Sequence, residues 1–361
     1  MNKIINKKAA VPVYLQLKNW IEASIHRGDL LPGQRIPSEN EFSHGCGIHR
    51  NTVRNALFRL EQEGLLNSVP GSGWFVRQRA KRLRRAGLLT LQEPELQTGA
   101  QDSEFRKRIK QGLSEGAALF GFEQISLAAE ELQSLLNGQP SPVAPEALIV
   151  MEYQNCFHQE LRQLKTLGLP VIFCNRQIFG EDIPCVCIDQ YYGTRDLVTR
   201  LLQHGHQRVG CISMALEDNW NYATERYRGY ADAFTSFGIT PDRKMLCQIR
   251  DVSQSRRKIR EFLKNNPDLT GLFIAGETFH QITLELLKKQ GKRIPENLSI
   301  VAFDRVAGEQ GKNIIALDQP LEEMGRRVFR TLDGMLSGHP ANGEVLLPSI
   351  TDGNSICKLN G

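Results

Sequence analysis

No run of 18 apolar residues occurs anywhere in these 361 residues, so no stretch reads as a membrane-spanning helix. The opening MNKIINKKAAV lacks the apolar core of an export signal, and a cytoplasmic protein is the expectation. The eight cysteines, at 46, 156, 174, 185, 187, 211, 247 and 357, form no Cys-x-x-Cys pair. Several lie inside apolar runs, so they read as reduced core thiols rather than zinc ligands. A Gly-x-Ser-x-Gly elbow, a phosphate-cradling P-loop and His-Glu-x-x-His are all missing. His204-Gly205-His206 stands at a helix end before a strand, a setting that suits structure better than metal. An enzyme is therefore not expected, and neither a cofactor nor a metal is called for.

Charge is present but unevenly spread. Residues 1–85 carry 15 Lys and Arg against 6 Asp and Glu, a balance of +9, while the other 276 carry 30 against 34, a balance of −4. A basic module on a mildly acidic body points to a polyanion partner for the first part alone. With 40% apolar and 24% charged residues, the chain has globular composition, and its length suits two or three domains.

The most informative stretch is 47–64, GIHRNTVRNALFRLEQEG. Val53, Ala56, Leu57 and Leu60 recur at i, i+3, i+4 and i+7, which predicts a helix with one buried stripe. Arg50, Asn51, Arg54, Asn55 and Arg59 lie off that stripe, and such planar multi-donor side chains match base edges and phosphates. Upstream, 13–25 has helical spacing, and Ser38 with Glu41 forms a capping box that opens a short second helix. Downstream, 65–66 and 74–76 are strand candidates around the turn Pro70-Gly71-Ser72-Gly73. Helix, tight turn, helix and a two-stranded wing make a winged helix-turn-helix over 1–76, whose second helix enters the major groove of double-stranded DNA.

Residues 11–42, 49–66 and 70–76 together resemble the GntR family of bacterial transcription regulators. The resemblance implies that Arg50, Arg54 and Gly71 face DNA, with Ser38 and Thr52 as phosphate contacts and Asn51 beside them. Two positions depart from the family pattern. Asn40 replaces a usual Arg, and His49 replaces the Ser or Thr that caps the recognition helix, at about 1 kcal/mol. Residues 77–86, RQRAKRLRRA, hold six basic residues in ten and read as a linker, either touching phosphates or simply solvated and extended.

From 87 to 361, short apolar runs alternate with helical stretches. Strands are predicted at 87–91, 124–128, 147–151, 171–174, 185–188, 209–213, 272–275, 299–303 and 314–316. Helices are predicted at 104–120, 157–167, 193–204, 227–237, 255–265, 280–290 and 324–336. This is an α/β pattern of two doubly wound parallel-sheet lobes, with a ligand cleft between them at the carboxyl ends of the strands. The residues PVIFCNR (170–176), CIDQYYG (187–193), ERYRGYADAF (225–234), GLFIAGE (271–277), IPENLSIVAFD (294–304) and LDQPLEEMGRRV (317–328) resemble the sugar-binding domain of the LacI/GalR family, itself like periplasmic sugar-binding proteins. The resemblance implies that Arg226 forks onto ligand hydroxyls, that Asp304 accepts from them, and that Gln319 and Tyr192 line the cleft. Glu277 stands where the family has Asp and Gly276 where it has Asn. Trp220, six residues before Arg226, is placed to stack on a sugar ring. Asp189 reads as structural.

The expectation is a homodimeric regulator, a repressor by resemblance, that addresses a palindromic DNA operator and answers to a small-molecule effector, a carbohydrate by default, with a nucleoside or sugar acid also compatible. Two rivals are a regulator whose effector domain has degenerated into a dimerisation body and an enzyme with a GntR-type head. The second lacks a recognisable Schiff-base lysine setting.

Overall fold

A computed structural model describes residues 5–7, 11–26, 29–77, 83–91, 104–139, 144–153, 158–175, 182–216 and 221–359. The head consists of α1 (Val13–His26), α2 (Glu39–Cys46), α3 (Arg50–Gln62) and a hairpin of β1 (Leu66–Val69) and β2 (Gly73–Val76). Val53, Ala56, Leu57 and Leu60 of α3 are fully buried against Leu17 and Ile21 of α1, the stripe that the spacing predicts. The capping box forms: the Ser38 hydroxyl accepts from the Glu41 N–H at 3.3 Å, and the Glu41 carboxylate accepts from the Ser38 N–H at 2.7 Å. Gly47 closes α2 in the left-handed conformation, with φ 61°, and turns the chain into α3. The wing pairs Leu66 with Val76 and Val69 with Gly73, and Arg35 bridges to Phe75 on its far side.

The body continues with β3 (Arg84–Leu91), α4 (Glu104–Phe120), β4 (Phe122–Ser126), α5 (Ala129–Leu136), β5 (Ala147–Tyr153), α6 (His158–Thr166), β6 (Val171–Cys174), β7 (Cys185–Ile188) and α7 (Tyr191–Gln203). There follow β8 (Val209–Met214), α8 (Asn221–Ser236), β9 (Leu246–Ile249), α9 (Ser255–Asn265), β10 (Gly271–Ile274), α10 (His280–Lys289), β11 (Ser299–Phe303), β12 (Ile315–Asp318), α11 (Leu321–Leu336), β13 (Glu344–Leu346) and β14 (Ser349–Ile350). One sheet has the order β13-β7-β6-β5-β3-β4 and the other β14-β12-β11-β10-β8-β9. All pairings within them are parallel except β12 with β14. Each lobe thus reverses its winding once, between β3 and β5 in the first and between β8 and β10 in the second. Such switch points open a crevice at the carboxyl ends of the strands. The chain crosses between lobes three times, from β7 to α7, from β12 to α11 and from β13 to β14.

The strand β3 begins inside the stretch read as a linker. Arg84 lies over the Phe122 ring at 4.5 Å and pairs with the buried Asp333, and Arg85 pairs with Glu123 at 3.6 Å. Partners distant in sequence thus neutralise charges that look solvated in the sequence; residues 78–82 lie outside the described residues. The helices α4 and α11 pack backbone to backbone on the first lobe. A Cβ on Gly112 would fall inside the Glu322 backbone, and one on Gly116 would lie 2.9 Å from the Arg326 Cα. The head docks on this helix pair: Arg77 pairs with Asp333 of α11, and Gly64 abuts the Phe120 ring at the end of α4. None of the described helices is long and apolar enough to cross a membrane.

Candidate DNA-reading face and effector cleft

On α3, Arg50 and Arg54 are half exposed, at 55% and 54% of their side chains, and Asn51, Asn55 and Phe58 share the exposed face. Glu39, at the start of α2, holds both arginines. It accepts from Arg50 Nε at 2.8 Å, from Arg54 Nε at 3.1 Å and from Arg54 Nη2 at 2.9 Å. These bonds, Arg54's first, hold the Glu39 carboxyl below the usual carboxylate range. The two guanidinium groups are thus fixed side by side on a face open to solvent. His49 takes the cap of α3, with Nδ1 accepting from the Asn51 N–H at 3.2 Å. Ser38 and Thr52 lie at the first turns of α2 and α3, where helix dipoles favour phosphate. Gly71 sits exposed at the tip of the wing with φ 76°, and nothing lies within 4 Å of where its Cβ would be.

In the second lobe, α8 carries Arg226 inward to 7% exposure. Its Nε donates to Gln190 Oε1 and its Nη1 to the Ala275 carbonyl, both at 2.7 Å, and the guanidinium lies 3.6 Å from the Phe303 ring centroid. Burial pulls its pKa down, opposed by the charge of Asp304. Asp304 follows β11 with a left-handed φ of 72°, a conformation uncommon for a non-glycine residue, and accepts a hydrogen bond from Gln319 Nε2. Gln319 itself lies in the crossing from β12 to α11. Glu277 follows β10 and reaches across the cleft, its Oε1 accepting from the N–H of Glu104 at 3.2 Å, at the first turn of α4. Burial, then Asp304, pushes the Glu277 carboxyl up.

Arg226, Glu277, Asp304 and Gln319 are thus brought together at the carboxyl ends of the strands. Tyr192 stands on α7 at 60% exposure with its ring edge-on to Tyr191, and Trp220 lies outside the described residues. Asp189 accepts from the Gly193 N–H at 3.1 Å, which anchors the first turn of α7. Sequence reasoning passes over Gln190, which orients Arg226, and over His280, buried beneath Asp304 with Nε2 bonded to the Phe303 carbonyl at 2.9 Å. It also misses Asn175, left-handed at φ 67° after β6, the first-lobe counterpart of Asp304. Asn175 and Gln190 both lie within segments that carry the LacI/GalR resemblance; their side-chain roles have no sequence signal of their own.

Residues 98–345 match the profile of periplasmic binding proteins and the sugar-binding domain of the LacI family, and residues 13–76 match the gntR family of bacterial regulatory proteins. The arabinose metabolism transcriptional repressor of Geobacillus stearothermophilus is 26% identical over 348 residues, 91% of this chain and 93% of that protein. The regulator CelR of Thermobifida fusca is 28% identical over 183 residues, 49% of this chain and 53% of that one. Among solved structures, a transcriptional regulator CelR–cellobiose complex superposes with a TM-score of 0.64 at 20% identity, covering 89% of this chain and 100% of that one. A LacI family regulator from Enterococcus faecium with bound ribose gives 0.63 at 18%, covering 77% and 100%. At these identities the structures establish the fold. The chain belongs to the LacI family of periplasmic-binding-like regulators and carries a gntR-family head: it is a transcription regulator and not an enzyme.

Proposed function

We propose that this regulator is a dimeric repressor whose hold on a palindromic operator is set by a small carbohydrate-like effector bound between the lobes. The observation that carries the reading is the cluster of Arg226, Asp304 and Gln319 at the carboxyl ends of the second-lobe strands. It lies on the same chain as a helix with two solvent-facing arginines. Phosphate neutralisation supplies most of the DNA affinity, while Arg50, Asn51 and Arg54 read bases and Ser38, Thr52 and Gly71 position the backbone. Tyr192 lines the cleft rim in this reading. The relatives' names support the carbohydrate class: an arabinose metabolism repressor and a cellobiose complex.

The bond from the Glu104 N–H to Glu277 favours a second reading, in which the lobes are held together without a ligand and the body serves only to dimerise. A thermal-shift screen of the full chain against mono- and disaccharides separates the two. An effector at 100 times its Kd stabilises the protein by roughly 2.7 kcal/mol, a rise of a few degrees. No shift with any sugar favours the dimer-only body.

A further inference from the structure

The polar groups of the cleft are unbalanced. Arg226 has already committed Nε and Nη1 to its own lobe, and Gly276 offers no side chain. The neighbouring Arg108 is paired with Asp318 at 2.9 Å and Glu322 at 2.7 Å, and Arg305 with Asp318 at 2.6 Å. Acceptors, by contrast, are in surplus among the described residues. Gln319, 2% exposed, leaves Oε1 without a donor among the described residues after its amide N–H binds Asp304. His280, 1% exposed, gives its N–H to the Phe303 carbonyl, so the bare lone pair on Nδ1 also has no partner among the described residues. Glu277 and Asp304 add two carboxylates close enough to raise each other's energy, with Glu104 beside them. A buried acceptor without a donor is costly, and so are like charges in a half-desolvated site. A ligand that brings donors and positive charge relieves both.

Resting on the reading of this cleft as the effector site, we infer that the effector is a basic polyol. Its hydroxyls donate to Asp304 and Gln319, and its protonated amine is taken by Glu277 and Asp304. An acidic or phosphorylated sugar would set its charge against the same carboxylates and be excluded.

The test is calorimetric titration of the full-length protein with paired probes. Glucosamine, galactosamine and 1-deoxynojirimycin are each compared with glucose, galactose and 1,5-anhydroglucitol, and glucuronate and galacturonate are run alongside. The expected result is at least tenfold tighter binding of an amine than of its neutral counterpart, with the uronates weakest. Glu277→Gln should shrink that ratio at least threefold. The wild-type ratio stands as evidence even if that variant folds poorly. Equal or tighter binding of a neutral or acidic sugar overturns the charge assignment while leaving the effector reading intact. Silence from the whole panel overturns both.

Discussion

A single carboxylate, Glu39, holds both of the arginines proposed to read DNA. Bonded to three of their nitrogens, it fixes the guanidinium planes before contact and removes rotamer entropy that binding would otherwise have to overcome. Arg54→Ala should weaken operator binding by about 1–3 kcal/mol and relax preference at one base pair, read by fluorescence anisotropy on a panel of single-base operator variants. Uniform weakening across all variants would reassign Arg54 to phosphate. The buried His280 gives a second prediction at this scale. Burial pulls its pKa down to about 4, so the unfolded chain takes up its proton first as pH falls. The stability it lends is therefore intact above the ordinary histidine pKa and is lost as pH falls towards 4. About 2 kcal/mol should be gone at pH 5. Urea midpoints at pH 7 and pH 5 for wild type and His280→Gln check this; an equal drop in both proteins would exclude His280 as its source.

Among the elements, α4 and α11 hold the decisive place. Both begin at the cleft, α4 at the Glu104 N–H that meets Glu277 and α11 just after Gln319. Both end at the head, α4 at Phe120 beside Gly64 and α11 near Asp333, which pairs with Arg77 and Arg84. Their glycine-mediated contact packs them backbone against backbone. Gly116→Leu should force them apart and cost about 3 kcal/mol or more, seen as a lower thermal midpoint. Asp333→Asn should cost about 2 kcal/mol by leaving two arginines without their carboxylate, and should also speed amide exchange in the head. Unchanged head exchange would mean that the dock does not restrain it.

Strands with four or more apolar residues were legible in the sequence, and so was the alternation that gives two lobes. The edge pieces β9, β13 and β14 and the helix α5 were not. LCQI, EVL and SI are too short for periodicity to register, and their place depends on a neighbouring strand. The start of β3 at Arg84 was hidden for a different reason: its charges are neutralised by Asp333, 249 residues away, and no local pattern reports that. At the site, Arg226, Asp304 and Gln319 could be located by resemblance. The reach of Glu277 across the cleft exists only once two lobes are packed, and the His280 Nδ1, without a partner among the described residues, only once its helix packs against β11.

In the whole molecule, the head together with the basic stretch that follows it, residues 1–85, carries +9 against −4 for the rest, and a helix pair touches both the cleft and the head. In the proposed function, DNA affinity belongs to one end and its control to the other. The thermodynamic link between them should amount to about 1–3 kcal/mol. The most direct measurement is an operator titration by fluorescence anisotropy, with and without the sugar that most raises the thermal midpoint, in wild type and Arg226→Ala. The account predicts a 5- to 150-fold shift in wild-type operator Kd, absent in Arg226→Ala, whose affinity without sugar is unchanged. The same shift in both proteins, or none in wild type, would contradict it.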